Sequence, residues 1–128
     1  MASLTVRDET MTGKETGSFV LLDLPDTITV EELIRWRVRE EVDRHNAGTD
    51  STFCGLVQPT DVAVERTGSR ERRRIDPDKQ ADVAVRAFST NGFVLLVGER
   101  QVEDLYEVLE VLKLSSVAFI RLVPLIGG

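Results

Sequence analysis

Five consecutive apolar residues, Phe93-Val94-Leu95-Leu96-Val97, place the strongest constraint on this chain. A strand with no polar face cannot lie on a surface, so the run predicts a sheet in which it is central and covered. Residues 117–123 form a second largely apolar strand that needs similar shelter. The simplest solution inserts this last strand beside the first one, parallel to it, so that both are buried. The segment continues as Pro124-Leu125-Ile126-Gly127-Gly128.

The other elements follow in order. Residues 4–8 alternate apolar and polar as a half-buried strand does. Residues 8–17, with Gly13 and Gly17, read as a loop, and residues 18–24 as a second strand pairing antiparallel with the first. Thr29 and Glu32 form a capping box that starts a helix ending at 46–48. Val30, Leu33, Ile34, Val38 and Val42 make its buried stripe, and Trp36 falls off that stripe. Between 48 and 74 the pattern weakens. Residues 53–57 and 62–65 are candidate short strands, 67–69 a turn, and 70–74 a basic cluster read as a solvated loop or as a docking patch for an acidic surface. Asp76-Pro77 starts a second helix with Ala81, Ala84, Val85 and Phe88 inward, and Asn91-Gly92 stops it. After residues 93–97, Gly98-Glu99 turns into a short strand at 100–102. Residues 103–113 read as a helical or irregular connection. The expectation is one α+β domain over 1–128, with an insertion at about 48–92 and a tail at 124–128.

Composition narrows the function classes. The formal charge of -6 disfavours a general nucleic-acid binder, because phosphate binding needs a basic surface. One cysteine, Cys54, cannot form an internal disulfide, which points to a reducing compartment. No apolar run approaches a membrane span, and the start lacks a basic-then-apolar leader pattern. A cytoplasmic protein is expected. Cys54 and His45 are too few for a metal site and lack a third partner for nucleophilic catalysis. Phosphate-loop glycine spacing is absent. No catalytic residue, metal or resident cofactor is expected, and the chain does not read as an enzyme.

Several segments resemble ubiquitin. Met11-Thr12-Gly13-Lys14 lies between two strands, and Pro25-Asp26-Thr27-Ile28 leads into the first helix. Residues 95–104, Leu-Leu-Val-Gly-Glu-Arg-Gln-Val-Glu-Asp, resemble that family's apolar strand, glycine turn and return, and Ser115-Ser116 precedes the last strand and Gly127-Gly128. The resemblance covers roughly residues 4–46 and 93–128, and the segment 48–92 has no counterpart. It implies a β-grasp fold, a mixed sheet packed on a helix. It further implies a protein modifier whose Gly128 is adenylated by an ATP-dependent activating enzyme and joined to amines of target proteins.

A tail of this kind suits such chemistry. Two glycines pass a narrow channel without side-chain obstruction. Leu125 and Ile126 give apolar anchorage, and Pro124 restricts the chain before docking. Pro124 stands where ubiquitin has arginine, which implies a dedicated activating enzyme recognising Pro124, Leu125 and Ile126. A conjugating enzyme and a metalloprotease-type deconjugase are the further partners implied; no nucleic acid or membrane is. The candidate partner surface is Trp36, Leu95, Ile120 and Leu122, and the chain's three lysines, Lys14, Lys79 and Lys113, are candidate chain acceptors or plain surface charges. The apolar tail with its proline looks more like the prokaryotic relatives of ubiquitin, which implies a prokaryotic modifier or, as the alternative, a sulfur carrier that forms a C-terminal thiocarboxylate. A third reading is a non-covalent adaptor that binds through the insertion and Trp36.

Overall fold

The computed structural model describes residues 2–47, 56, 62–67 and 70–122, with backbone alone for 62–67 and 70–74. It is an α+β structure with a mixed sheet and two helices. The described elements are β1 (Ala2–Thr10), β2 (Glu15–Leu24), β3 (Thr27–Thr29), α1 (Val30–Ala47), β4 (Val62–Thr67), β5 (Arg70–Ile75), α2 (Pro77–Ser89), β6 (Phe93–Val97), β7 (Arg100–Val102), β8 (Val108–Glu110), a 3-10 turn (Val111–Lys113) and β9 (Ser116–Arg121). The chain divides into two compact units, Met1–Leu33 with Ala87–Gly128, and Ile34–Arg86.

The first unit holds a five-stranded sheet in the order β2-β1-β9-β6-β7. β1 and β9 pair in parallel, from Thr5 with Ser116 to Thr10 with Arg121. The other neighbours are antiparallel. Cross-strand partners share a face, so the register sorts the side chains into two sets. Leu4, Val6, Leu21, Val117, Phe119, Leu95, Phe93 and Val102 form the inner face and are all buried. Phe93 sits between Phe88 and Phe119, with ring centroids 5.8 Å from each. The run 93–97 is thus an interior strand, as its composition predicts, but only Phe93 and Leu95 are fully covered.

Two expectations from the sequence need correction here. The loop between the first strands spans only residues 11–14, because β1 runs on to Thr10 and β2 begins at Glu15. Gly17 lies within β2 opposite Asp8. The polar ends of these strands carry no apolar alternation to mark them. Residues 103–113 are also more ordered than a plain connection. β8 pairs antiparallel with β3, Thr27 opposite Glu110 and Thr29 opposite Val108. Val30 N and Glu31 N donate to the carbonyls of Glu107 and Leu105 at 3.0 and 2.9 Å. These bonds occupy donors that a helix start leaves unpaired.

The Thr29 half of the capping box forms, and the Glu32 carboxylate reaches back to the Thr29 hydroxyl. The Thr29 hydroxyl accepts from Glu32 N at 3.1 Å and donates to the Glu32 carboxylate at 3.0 Å. At α2, Asp76 Oδ1 accepts from Asp78 N and Lys79 N at 2.9 and 3.2 Å, as an N-cap before Pro77 should. Asn91 adopts a left-handed φ of 63°, and Gly92 N donates to Ala87 O at 2.7 Å to end α2.

In the second unit, Ile34, Val38, Val42, Leu56, Ile75, Ala81 and Ala84 are buried. Arg35 meets Asp82 at 2.8 Å and Arg39 meets Asp78 at 3.4 Å, so α1 and α2 run antiparallel along this face. Asn46 closes the end of α1, donating to Ile75 O at 2.8 Å and accepting from Ile75 N at 3.1 Å. Arg37 is only 1 % exposed, bonded to the Glu41 carboxylate, which also accepts from Leu56 N at 2.9 Å. β4 and β5 form an antiparallel hairpin, so residues 70–74 are a strand and not a loop. Of the candidate strand 53–57, all but Leu56 lies outside the described residues.

Glu41→Ala would take a carboxylate partner from the buried Arg37 guanidinium and remove the acceptor of Leu56 N. Urea unfolding should show a loss of about 3 kcal/mol, against about 1 kcal/mol for Thr29→Ala at the exposed cap. A Glu41 variant no worse than the Thr29 variant would remove the ion pair from the account of this unit's stability.

Candidate functional site

The outer face of the five-stranded sheet is the described surface that best suits a partner. Leu96 stands opposite Ala118 and Val94 opposite Ile120. Together they form a two-by-two apolar block across β6 and β9. Ala118 is 2 % exposed at its centre, and Val94, Leu96 and Ile120 are half-buried. Gln101 adjoins Leu96 on β7, while Arg7 and Glu9 adjoin Ala118 and Ile120 on β1. Arg7 Nη1 donates to Glu9 Oε2 at 2.8 Å, and Arg7 Nε is buried with no hydrogen-bond partner. A polar rim around a small apolar centre is the usual anatomy of a recognition patch.

β9 carries this patch to the end of the sheet. Arg121 pairs with Phe93 on one side and Thr10 on the other, and Leu122 N reaches Gly92 O at 3.4 Å. The chain beyond Leu122 therefore leaves from the end of the sheet that also carries the β1–β2 turn. That turn is tight: Gly13 takes a φ of 87° and donates to Thr10 O at 2.9 Å, and Thr10 N donates to Lys14 O at 2.8 Å. At the far side of β6, Phe88, Phe93, Val102, Leu105 and Tyr106 line a cleft of about 590 Å³ with Glu103 and Asp104 at its border.

The predicted site residues fall out as follows. Ile120 lies in the outer patch, and Leu122 is half-buried just past β9. Leu95 is fully buried on the inner face and is not available to a partner. Strand alternation places Leu95 against Phe119 and Val102, and the outward positions are its neighbours Val94 and Leu96. Trp36 is half-buried in the second unit. Lys14 and Lys79 are exposed, and Lys113 is exposed beside Glu110 at 2.7 Å. Pro124, Leu125, Ile126, Gly127, Gly128 and Cys54 lie outside the described residues. Among the described residues no three His, Cys, Asp or Glu side chains come together in a way that would hold a metal. Nor is any described helix long and apolar enough to cross a membrane.

Compared with known proteins, the chain matches no family model, no curated protein and no solved structure. What the structure defines is therefore its class, an α+β chain built on a mixed sheet.

Arg100 and Glu107 bind each other across the β7–β8 connection, Arg100 Nη1 donating to Glu107 Oε1 at 3.1 Å. The Arg100 side chain, first by hydrogen bonding, holds the Glu107 carboxyl below the usual glutamate range. Its depressed value makes the pair's contribution present above the unfolded-state pKa and lost as pH falls through the folded one. In an NMR titration Glu107 should protonate at a lower pH than a glutamate in an unstructured peptide. Arg100→Gln should raise that midpoint into the ordinary range, and an unmoved midpoint would refute the assignment.

Proposed function

We propose that this protein is a ubiquitin-like modifier with a β-grasp fold, activated at Gly128 and joined to amines of target proteins. The observation that carries the reading is the sheet order β2-β1-β9-β6-β7, in which a hairpin leads to a helix and the last strand inserts parallel to the first. That is the arrangement expected of a β-grasp. The residues that resemble ubiquitin supply much of it: the Met11–Lys14 turn, the start of α1, β6, β7 and β9.

The chemistry balances as follows. The Gly128 carboxylate attacks the α-phosphorus of ATP on an activating enzyme, and pyrophosphate leaves. A thiolate of that enzyme attacks the acyl carbon, and AMP leaves. A target amine then attacks the thioester, gives up a proton, and releases the thiolate. In this reading Pro124, Leu125 and Ile126 address the activating enzyme, and Val94, Leu96 and Ile120 present the docking face. The reading requires a free carboxylate on Gly128, whether encoded or exposed by cleavage.

The apolar residues 123–126 favour one other outcome, a sulfur carrier whose Gly128 becomes a thiocarboxylate. Protein purified from its native host separates the two by intact mass. A modifier gives covalent adducts on other proteins, whereas a carrier gives free protein in which one oxygen is replaced by sulfur.

Deleting Gly127 and Gly128 should abolish adducts in the host, and adducts that survive would end the modifier reading. Ile120→Arg, at a half-buried outward position, should leave the circular dichroism spectrum intact and lower adduct yield roughly tenfold, the scale of losing a central interface anchor. Unchanged yield would take the outer face out of the docking role.

A further inference from the structure

The cleft beyond β6 has no part in the modifier chemistry, yet its lining suits one kind of guest. It lies within the first unit, between the last turn of α2, the start of β6 and the connection after β7. Its volume of about 590 Å³ falls in the range of ordinary ligand pockets, roughly 300–1,000 Å³. Phe88, Phe93 and Val102 give it an apolar floor and are all buried. Glu103, Asp104 and Tyr106 form an exposed rim.

The charge on this lining is all negative. Residues 99–113 hold five carboxylates and two cations. Arg100 is held by Glu107 and Lys113 by Glu110, so neither neutralises the rim. Glu103 and Asp104 have no cation beside them among the described residues. Asp104 Oδ1 accepts from Tyr106 N at 2.9 Å, which fixes the carboxylate next to the tyrosine and leaves Oδ2 without a donor among the described residues. Ser89, the last residue of α2, also lines the cleft, and the C-terminal end of a helix carries a partial negative charge. The carboxylates and the helix end are independent sources of the same field.

An apolar row leads away from the rim. Of the six large hydrophobic side chains exposed among the described residues, three lie within residues 106–112: Tyr106 at 76 %, Val108 at 60 % and Leu112 at 70 %. Val108 faces outward because its neighbour Leu109 is buried opposite Ile28. Exposed apolar side chains gathered beside a cleft mark an interaction site, whereas single ones do not.

We propose that this cleft receives an arginine side chain of a partner protein, with the partner's adjoining apolar residues resting on Tyr106 and Val108. The methylene stem covers the floor of Phe88, Phe93 and Val102. The guanidinium then donates to the Glu103 and Asp104 carboxylates and lies on the Tyr106 ring. Arginine suits the rim better than lysine, because its planar fork serves two carboxylates and stacks on a ring. An acidic guest is repelled, and a small free cation would leave Val108 and Leu112 uncovered. The proposal is independent of the reading of Gly128.

The test uses the full chain and an end-capped peptide of sequence Leu-Arg-Leu-Ser, followed by NMR of the backbone amides. A second peptide carries citrulline in place of arginine, which keeps the shape and removes the charge. The arginine peptide should bind about tenfold tighter, since the two carboxylates and the ring each contribute a few-fold. Its shifts should concentrate in residues 88–91 and 101–108. E103Q/D104N should lower its affinity to that of the citrulline peptide, while E15Q/E99Q, the same change of charge away from the cleft, should leave it within about twofold. Equal binding of the two peptides, shifts centred on another face, no binding, or equally tight binding of N-acetylarginine amide would each overturn the proposal. The peptide comparison runs on the unaltered chain, so it decides the matter even if a variant fails to fold.

Discussion

The parallel pairing of β1 with β9 is the interaction on which the first unit depends. Without β9, the β1–β2 and β6–β7 hairpins would be separate two-stranded pieces, each marginal in water. β9 joins them into one five-stranded sheet, pairing with β1 on one side and β6 on the other. The strands so joined lie more than a hundred residues apart in sequence, Val6 against Val117 for example. The closure must therefore overcome a large loop entropy before it returns any stability. The inner face supplies the return, because Val6, Val117, Phe119 and Leu95 become buried only when β9 is in place.

The same closure creates the outer patch. A strand has two faces, and a register shift of one residue would exchange them. With Val117 and Phe119 inward, Ala118 and Ile120 must face outward beside Leu96 and Val94. Stability of the inner face thus fixes which residues a partner can meet. The connection after β7 is tied down in a different way. β8 pairs with β3, and Leu105 and Glu107 carbonyls receive the first amides of α1. Helix start and connection hold each other, with the Arg100–Glu107 pair bracing the loop between them.

Local chemistry was legible in the sequence, and long-range pairing largely was not. Thr29 with Glu32, Asp76 with Pro77, and Asn91 with Gly92 each act within one helical turn, so the residues alone announce them. The parallel β1–β9 pair was inferable because both segments needed cover. β3 and β8 were not, since three-residue strands show no period and exist through each other. Residues 70–74 look like a solvated loop because charge masks a strand whose partner, β4, lies across the turn. The burial of Arg37 is hidden in the sequence for a related reason. Its place beside the Val38 stripe argues for burial, and Glu41 at i+4, one turn on, gives the buried guanidinium a carboxylate partner. Leu95 faces inward and not toward a partner, because in an all-apolar run only the register decides which residues are buried.

Position along β9 links the patch to the proposed chemistry. Ile120 lies on the outer face, and Gly128 follows Leu122 by six residues. Six residues span at most about 20 Å when fully extended. A partner seated on Val94, Leu96 and Ile120 therefore has only that radius in which to meet the Gly128 carboxylate. An activating enzyme that grips this face must hold its nucleotide within the same distance, and a tail lengthened or shortened by a few residues would miss it. On the proposed reading, recognition by the sheet and reaction at Gly128 would be coupled through chain length.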